Sequence, residues 1–187
     1  MLERLLEQFP ERFKGAMLLD PHTYEDVEAD HSATMQAVLV VIIVGVAAGI
    51  GGLSGGISGL IIGIVSAVVQ WVLWAFVTLI LGTTIFNTPE THADWGQLAR
   101  TTGFAQAPGI LRIFGFIPVL GPVIVLVSFV WQIVAMVVAV RHALDYTSTK
   151  RAVGVVILSI GAIILFALIV VVLVGVMVIP VIITNGP

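Results

Sequence analysis

The placement of charge constrains this chain more than any other feature. The sequence carries 8 basic and 11 acidic residues among 187, and all but one fall in three short windows. The first runs from Glu3 to Asp30. The second holds Glu90, Asp94 and Arg100, and the third holds Arg141, Asp145, Lys150 and Arg151. The exception is Arg112. The stretches between the windows are apolar and too long for a soluble core. A helix needs about 20 apolar residues to cross hydrocarbon, and lipid admits only helices or closed barrels because backbone polar groups must be satisfied internally. The runs are continuous and lack the alternation of barrel strands. The expected fold class is all-α: an integral membrane bundle of five transmembrane helices behind a short N-terminal cytosolic segment, amphipathic and acidic.

Composition narrows the function classes. Only 10% of residues are charged and 59% are hydrophobic, against roughly 25% charged in a soluble domain. The chain has no cysteine, which excludes disulfides, thiolate metal sites and a cysteine nucleophile. A net charge of −3 argues against a nucleic-acid partner. The first thirty residues are too charged for the apolar core of a signal peptide.

Three regions are expected: a cytosolic segment 1–31, a five-helix membrane domain 32–180, and a short extracytoplasmic tail 181–187. Within Met1–Leu19, Leu2, Leu5, Leu6, Phe9, Phe13, Met17 and Leu18 recur at helical spacing, with Glu3, Arg4, Glu7, Glu11, Arg12 and Lys14 opposite. This predicts an amphipathic helix, kinked or split at Pro10. It lies either at the membrane interface or against the protein's own cytosolic face. Thr23 followed by Asp26 fits a capping box that opens a short acidic helix, Tyr24–Asp30.

The spans are expected at about 33–50, 60–86, 97–117, 119–140 and 153–179. The third opens with polar residues and breaks at Pro108-Gly109, so a re-entrant path is the alternative. The fifth exceeds the bilayer thickness and must tilt or project. Lys and Arg mark the cytoplasmic side. With the N-terminus inside and five spans, the inner segments hold Arg4, Arg12, Lys14, Arg100, Arg141, Lys150 and Arg151, and the outer loops hold none. Every acidic residue and all four histidines fall inside as well.

Several constellations are candidates for function. Gly45, Gly49, Gly52, Gly56, Gly59 and Gly63 form small-xxx-small pairs that predict close packing of the first two spans. Gly52-Leu53-Ser54-Gly55-Gly56 matches the pattern of a serine nucleophile, but a serine needs a base within reach, and every histidine maps to the opposite face. No catalytic residue and no cofactor are therefore expected. Gln70 and Gln132 read as interhelical hydrogen-bonding groups. Arg112 reads as a side chain snorkelling to the outer headgroups, with an inward substrate-binding arginine as the alternative. Glu28-Ala29-Asp30-His31 supplies a single Glu-x-x-His, where di-metal sites use two, so no metal site is expected.

The strongest functional candidate is the acidic stretch, with Tyr24, Glu25, Asp26, Glu28 and Asp30. Residues 1–31 carry eight acids against three bases. The stretch either folds back on a basic counterpart (Arg100, Arg141, Lys150 and Arg151, with Arg100 and Arg141 as the lock) or docks a basic partner surface.

The order of several short motifs also resembles a known family. Tyr24-Glu-Asp-Val-Glu-Ala-Asp30 precedes the first span. Trp71, Trp74 and Leu81-Gly82 follow, then Ala99-Arg-Thr-Thr-Gly-Phe-Ala-Gln-Ala-Pro108, Ile117-Pro-Val-Leu-Gly121, Trp131 and Val140-Arg141. Together these resemble bacterial members of the Yip (Ypt/Rab-interacting protein) domain family, over about Leu19–Val174. The resemblance implies five spans, a cytosolic N-terminus and an extracytoplasmic C-terminus. Eukaryotic relatives act in vesicle traffic and membrane shaping, and engage small GTPases through a cytosolic region to which Glu25 and Glu28 would correspond. That region is short here and the eukaryotic motif is not cleanly present, so a small GTPase is not the expected partner. The compact form points to a prokaryotic plasma membrane. The expected function is a non-enzymatic organiser of membrane or membrane-protein assemblies, with membrane lipids, further copies of itself or another membrane protein as partners. The alternative is a small transporter, channel or lipid-moving protein with a site near the broken third helix.

Overall fold

The computed structural model describes residues 7–52 and 56–185, with side chains described as far as residue 173. Among the described residues, seven α-helices and one 3-10 helix follow in order: α1 (Phe9–Met17), α2 (Pro21–Ala29), α3 (Ala33–Gly51), α4 (Gly56–Thr84), α5 (Trp95–Phe104), η1 (Ala107–Phe116, 3-10), α6 (Leu120–Ala143) and α7 (Thr149–Asn185). Four of them, α3, α4, α6 and α7, are long and apolar enough to cross a bilayer. Their outward faces are apolar too. On α4, Ile57, Ile61, Val65, Val69, Val72, Phe76 and Ile80 are all exposed at helical spacing, and on α6 so are Val123, Val127, Val130 and Val134. Stripes of this length suit a lipid solvent rather than water.

The expected third span is two pieces. Helix α5 has 10 residues and η1 another 10. The cause is Pro108, which has no N–H to donate to the Phe104 carbonyl and so ends the α-helical ladder. The chain does not turn back at the break. A Cβ on Gly103 would meet Ala37, one on Gly109 would meet Val44, and one on Gly51 would meet the Arg112 carbonyl. The α5–η1 segment therefore runs alongside α3 in the same direction, wedged between α3 and α6. Rises of about 1.5 Å per α-helical and 2.0 Å per 3-10 residue make it roughly 35 Å long.

Polar side chains of α6 reach the break. Ser128 Oγ donates to the Pro108 carbonyl at 2.9 Å, and Gln132 Nε2 donates to the Gln106 carbonyl at 3.2 Å and to its Oε1 at 2.8 Å. Ser128 and Gln132 are four residues apart, so one face of α6 meets both carbonyls beside Pro108. Trp71 of α4 secures the other side, donating from Nε1 to the Ala99 carbonyl at 3.0 Å.

Helices α3 and α4 pack antiparallel at the close distance that small residues permit. A Cβ on Gly45 would stand 2.9 Å from Ile64 Cα, one on Gly49 3.0 Å from Leu60 Cα, and one on Gly63 3.2 Å from the Gly45 carbonyl. The other expected pairs do not contribute. Gly59 has open space around it, as does Gly56, whose φ of +53 favours glycine for a different reason. A Cβ on Gly52 would meet the Ala48 and Gly49 carbonyls of its own helix. Leu53, Ser54 and Gly55 lie outside the described residues.

The two ends of the chain differ from expectation in one way each. Glu7 is helical, Gln8 bends, and α1 begins at Phe9 with Pro10 in its first turn, so the helical path is split just ahead of Pro10; in the first turn a missing N–H costs nothing. Residues 1–6 of the expected helix lie outside the described residues. Helix α2 begins three residues earlier than the Thr23 capping box implies. Asp20 is its N-cap, accepting from the His22 N–H and from Thr23 Oγ1, with Pro21 at the first helical position. At the other terminus, α7 continues through Pro180 to Asn185, which membrane helices tolerate, so the expected tail from 181 is largely helical.

The glycine contacts yield opposite expectations for two similar substitutions. Gly45→Ala must push α3 from α4 and should destabilise by about 1–3 kcal/mol. Gly59→Ala meets nothing and should be neutral or stabilising by up to about 1 kcal/mol. Thermal unfolding of both variants in one detergent checks this, and equal losses would remove the small-residue seam.

Candidate functional site

Two polar constellations stand out against the apolar bundle. The first is a layer at the charged end, where α1 and α2 lie across the ends of the long helices. Phe9, Phe13 and Met17 pack against the buried core, and Ala16, Tyr24 and Val27 are wholly buried in it. Helix α1 therefore rests on the protein itself.

Two arginines clamp this layer. Arg12, which the helical pattern places on the polar face, is 6% exposed. Its Nε contacts Asp26 at 2.7 Å, its Nη2 contacts Asp30 at 2.8 Å, and its Nη1 donates to Gln36 Oε1 at 3.0 Å. All three nitrogens are thus engaged, and α1, α2 and α3 are joined through one side chain. Arg100 of α5 reaches α2 differently. It donates from Nε to the Val27 carbonyl at 3.0 Å and from Nη2 to the Glu28 carbonyl. These are C-terminal carbonyls of α2, which lack helical partners and carry the negative end of the dipole. Gln97 adds a bond from Nε2 to Glu28 Oε1 at 3.1 Å, while also completing a capping box with Asp94.

The expected lock thus forms with other partners. Arg100 meets backbone carbonyls in place of carboxylates. Arg141 donates to the Tyr146 carbonyl at 3.3 Å and shapes the α6–α7 turn, whose Tyr146 hydroxyl donates to the Gly82 carbonyl at 3.0 Å. Glu25 lies 3.4 Å from His142 Nδ1. Lys150 and Arg151 stand exposed at the start of α7. Of the expected docking residues, Tyr24 is fully buried, with its hydroxyl donating to the Ala16 carbonyl at 3.1 Å, so it presents nothing outward. Glu25 and Asp26 remain exposed, as do Glu7 and Glu11 of the first segment.

The second constellation lies inside the bundle. Arg112 Nη2 donates to Gln132 Oε1, and Gln132 in turn donates to Gln106. Two cavities of about 200 and 240 Å³ flank this chain, and Gln70, Gln106 and Arg112 line both. The Arg112 side chain therefore turns into the bundle and does not snorkel away from it. Gln132 fulfils its expected interhelical role, whereas Gln70 borders the cavities. Gln106 and Ser128 had no distinguishing signal on their own. Only the i, i+4 spacing of Ser128 and Gln132 on a helix facing Pro108 could have exposed them.

The remaining polar motifs stay apart. His22, His31, His92 and His142 all belong to the charged end, whereas α3 ends at Gly51 and α4 begins at Gly56 at the opposite end. Ser54 lies outside the described residues. Among the described residues, no three His, Asp or Glu side chains converge as a metal site would require.

Electrostatics make the charged layer sensitive to pH. Burial, then the nearby Asp145, push the Glu28 carboxyl up to about 7, with Arg100 opposing and Glu25 and Asp94 adding to the rise. Burial alone would raise Asp30 as well, but hydrogen bonds from Ser32 and Arg12 outweigh it and hold that carboxyl below its ordinary value. The two act in different windows. Glu28 favours the docked layer while protonated, fully so below its ordinary 4.5, and that contribution is lost as pH rises to about 7. Asp30 contributes above its ordinary 3.8 and loses its contribution only as pH falls further. Raising pH from 5 to 8 should therefore lower thermal stability. Glu28→Gln keeps an acceptor for Gln97 and should flatten the profile, gaining about 1 kcal/mol at pH 8 after discounting for solvent screening. A melting series across that range decides it. A Glu28→Gln profile as steep as the wild type would remove the assignment.

Comparison with known proteins adds the family. No curated protein and no solved structure matches the chain. The family model described as the Yip1 domain matches residues 15–174, a stretch that covers α2 through the membrane-crossing part of α7; both constellations lie inside it apart from Arg12 and the other residues of the charged layer before Gly15. With four helices built to cross a bilayer and a match over most of its length, the chain is an integral membrane protein that belongs to the Yip1 domain family.

Proposed function

We infer that this protein is a non-enzymatic organiser of membrane or membrane-protein assemblies, with five crossings, the charged layer in the cytoplasm of a prokaryotic cell and the C-terminus outside. Five crossings are supported by the roughly 35 Å length of α5–η1, from the rise of α-helical and 3-10 turns, and by its course beside α3. Orientation follows from the basic residues gathered at one end. The observation that carries the role is the double clamp of Arg12 and Arg100. It holds α1 and α2 as a fixed shelf on the helix ends, with Glu7, Glu11, Glu25 and Asp26 exposed on it. A pre-ordered acidic shelf suits capture of a basic surface on a membrane protein or on a second copy, because little entropy is lost when it binds.

A second reading has its own support. A broken crossing, lined by cavities and polar amides, is where transporters and lipid-moving proteins place their sites. Here the break is α5–η1, and the lining includes Gln70, Gln106 and Arg112.

The absence of native cysteine makes topology directly testable. His92→Cys should react with an impermeant maleimide only after the membrane is opened, and Val119→Cys should react in intact cells. Labelling of both from one side would exclude five crossings. For the role, Glu11→Lys with Glu25→Lys should reduce cross-linked partner or self-complexes by about tenfold, as reversal of a complementary charge pair does, without lowering the melting temperature. Unchanged complexes would remove the docking role. A scramblase assay in liposomes tests the second reading, which fails if lipid exchange matches protein-free vesicles.

A further inference from the structure

The backbone of Arg112 lies against Gly51, the last residue of α3, at the end of the bundle away from α1 and α2. A long cationic side chain near a helix end normally extends to the interface, where its charge stays hydrated. Arg112 does the reverse. Its guanidinium points back among the helices to Gln132, and it lines the first cavity together with Val41 and Val44, well inside α3.

Among the described residues, no carboxylate neutralises it. The sequence has no acidic residue from Ala33 to Phe86 or from Thr101 to Val140. Among the described residues, its one side-chain partner is the neutral amide of Gln132. A cation held inward among apolar helices without a counter-ion is costly, so such residues mark sites where a charge of opposite sign is bound. The surroundings define that anion. Gln70 and Gln106 border both cavities and can donate and accept. The guanidinium fork matches phosphate oxygens. The second cavity, of about 240 Å³, is otherwise apolar, walled by Trp74, Phe129, Met136, Ile160 and Ile164. Phe129 and Ile164 are each about half exposed, at 50% and 55%, so this cavity reaches the lipid-facing surface between α6 and α7.

We propose that Arg112 binds the phosphate of an anionic phospholipid, which enters sideways from the bilayer and lays part of an acyl chain in the apolar cavity. Free phosphate offers the same charge but nothing for the apolar wall. The proposal supplies a ligand for the second reading above, yet it requires binding alone and no movement of lipid.

Delipidated full-length protein tests this by native mass spectrometry and thermal shift with phosphatidylglycerol, phosphatidylcholine, and glycerol phosphate or inorganic phosphate. Phosphatidylglycerol should remain bound and raise the melting temperature, and the water-soluble phosphates should not. Arg112→Gln should reduce retention by at least about tenfold, as loss of a charge-assisted contact does, with Arg112→Lys intermediate. Phosphatidylglycerol brominated on its acyl chains should quench Trp74, judged against Trp74→Phe. If Arg112→Gln does not fold, the wild-type ligand series and the quenching still decide. Equal retention of the two lipids, a response to inorganic phosphate alone, or undiminished retention in folded Arg112→Gln would each overturn the proposal. Retention without scrambling upholds the site and removes only the lipid-moving reading.

Discussion

The break at Pro108 organises the centre of this protein. Pro108 has no N–H for the Phe104 carbonyl and ends the α-helical ladder of α5. Beside that break, Ser128 and Gln132 of α6 donate to the Pro108 and Gln106 carbonyls, the latter also accepting from the Gly109 N–H. These bonds hold α6 against the break and leave Gln132 with an oxygen for Arg112. The same amide thus serves the fold and connects to Arg112.

A parallel logic operates at the charged end, where the problem is excess negative charge instead of unsatisfied backbone. Three of the carboxylates of α2 and its flanks are absorbed without bulk neutralisation. Arg12 takes Asp26 and Asp30, and Gln97 takes Glu28. Arg100 answers the dipole of α2 through its carbonyls. Because Arg12 also reaches Gln36 at the start of α3, the layer is tied to the bundle at both edges. Breaking one partner of such a buried pair leaves an uncompensated charge, so the layer holds or releases as a unit.

The four long apolar helices, the α3–α4 seam at Gly45, Gly49 and Gly63, and the break at Pro108 were legible from apolar run length, small-residue spacing and a proline. The partners of the arginines were not. Helical periodicity put Arg12 on the polar face because periodicity reports one helix against a uniform surround. Its burial arises from α2 folding over it, a contact between separate elements. Arg141 and Tyr24 were read as part of the acidic lock for the same reason, and the turn and the core respectively claimed them. Gly52, Gly56 and Gly59 matched the packing pattern, yet they lie where α3 and α4 no longer face each other.

Sequence alone determined that the chain enters a membrane as helices, since uncharged apolar length leaves hydrocarbon as the only compatible solvent. It also located the proline break, because a missing N–H is a covalent fact. Only the tertiary structure decided that the break continues along α3, that a cation clamps the acidic layer from beneath, and that Arg112 turns inward. Each of these depends on which side chains from distant helices meet, and no local pattern encodes that.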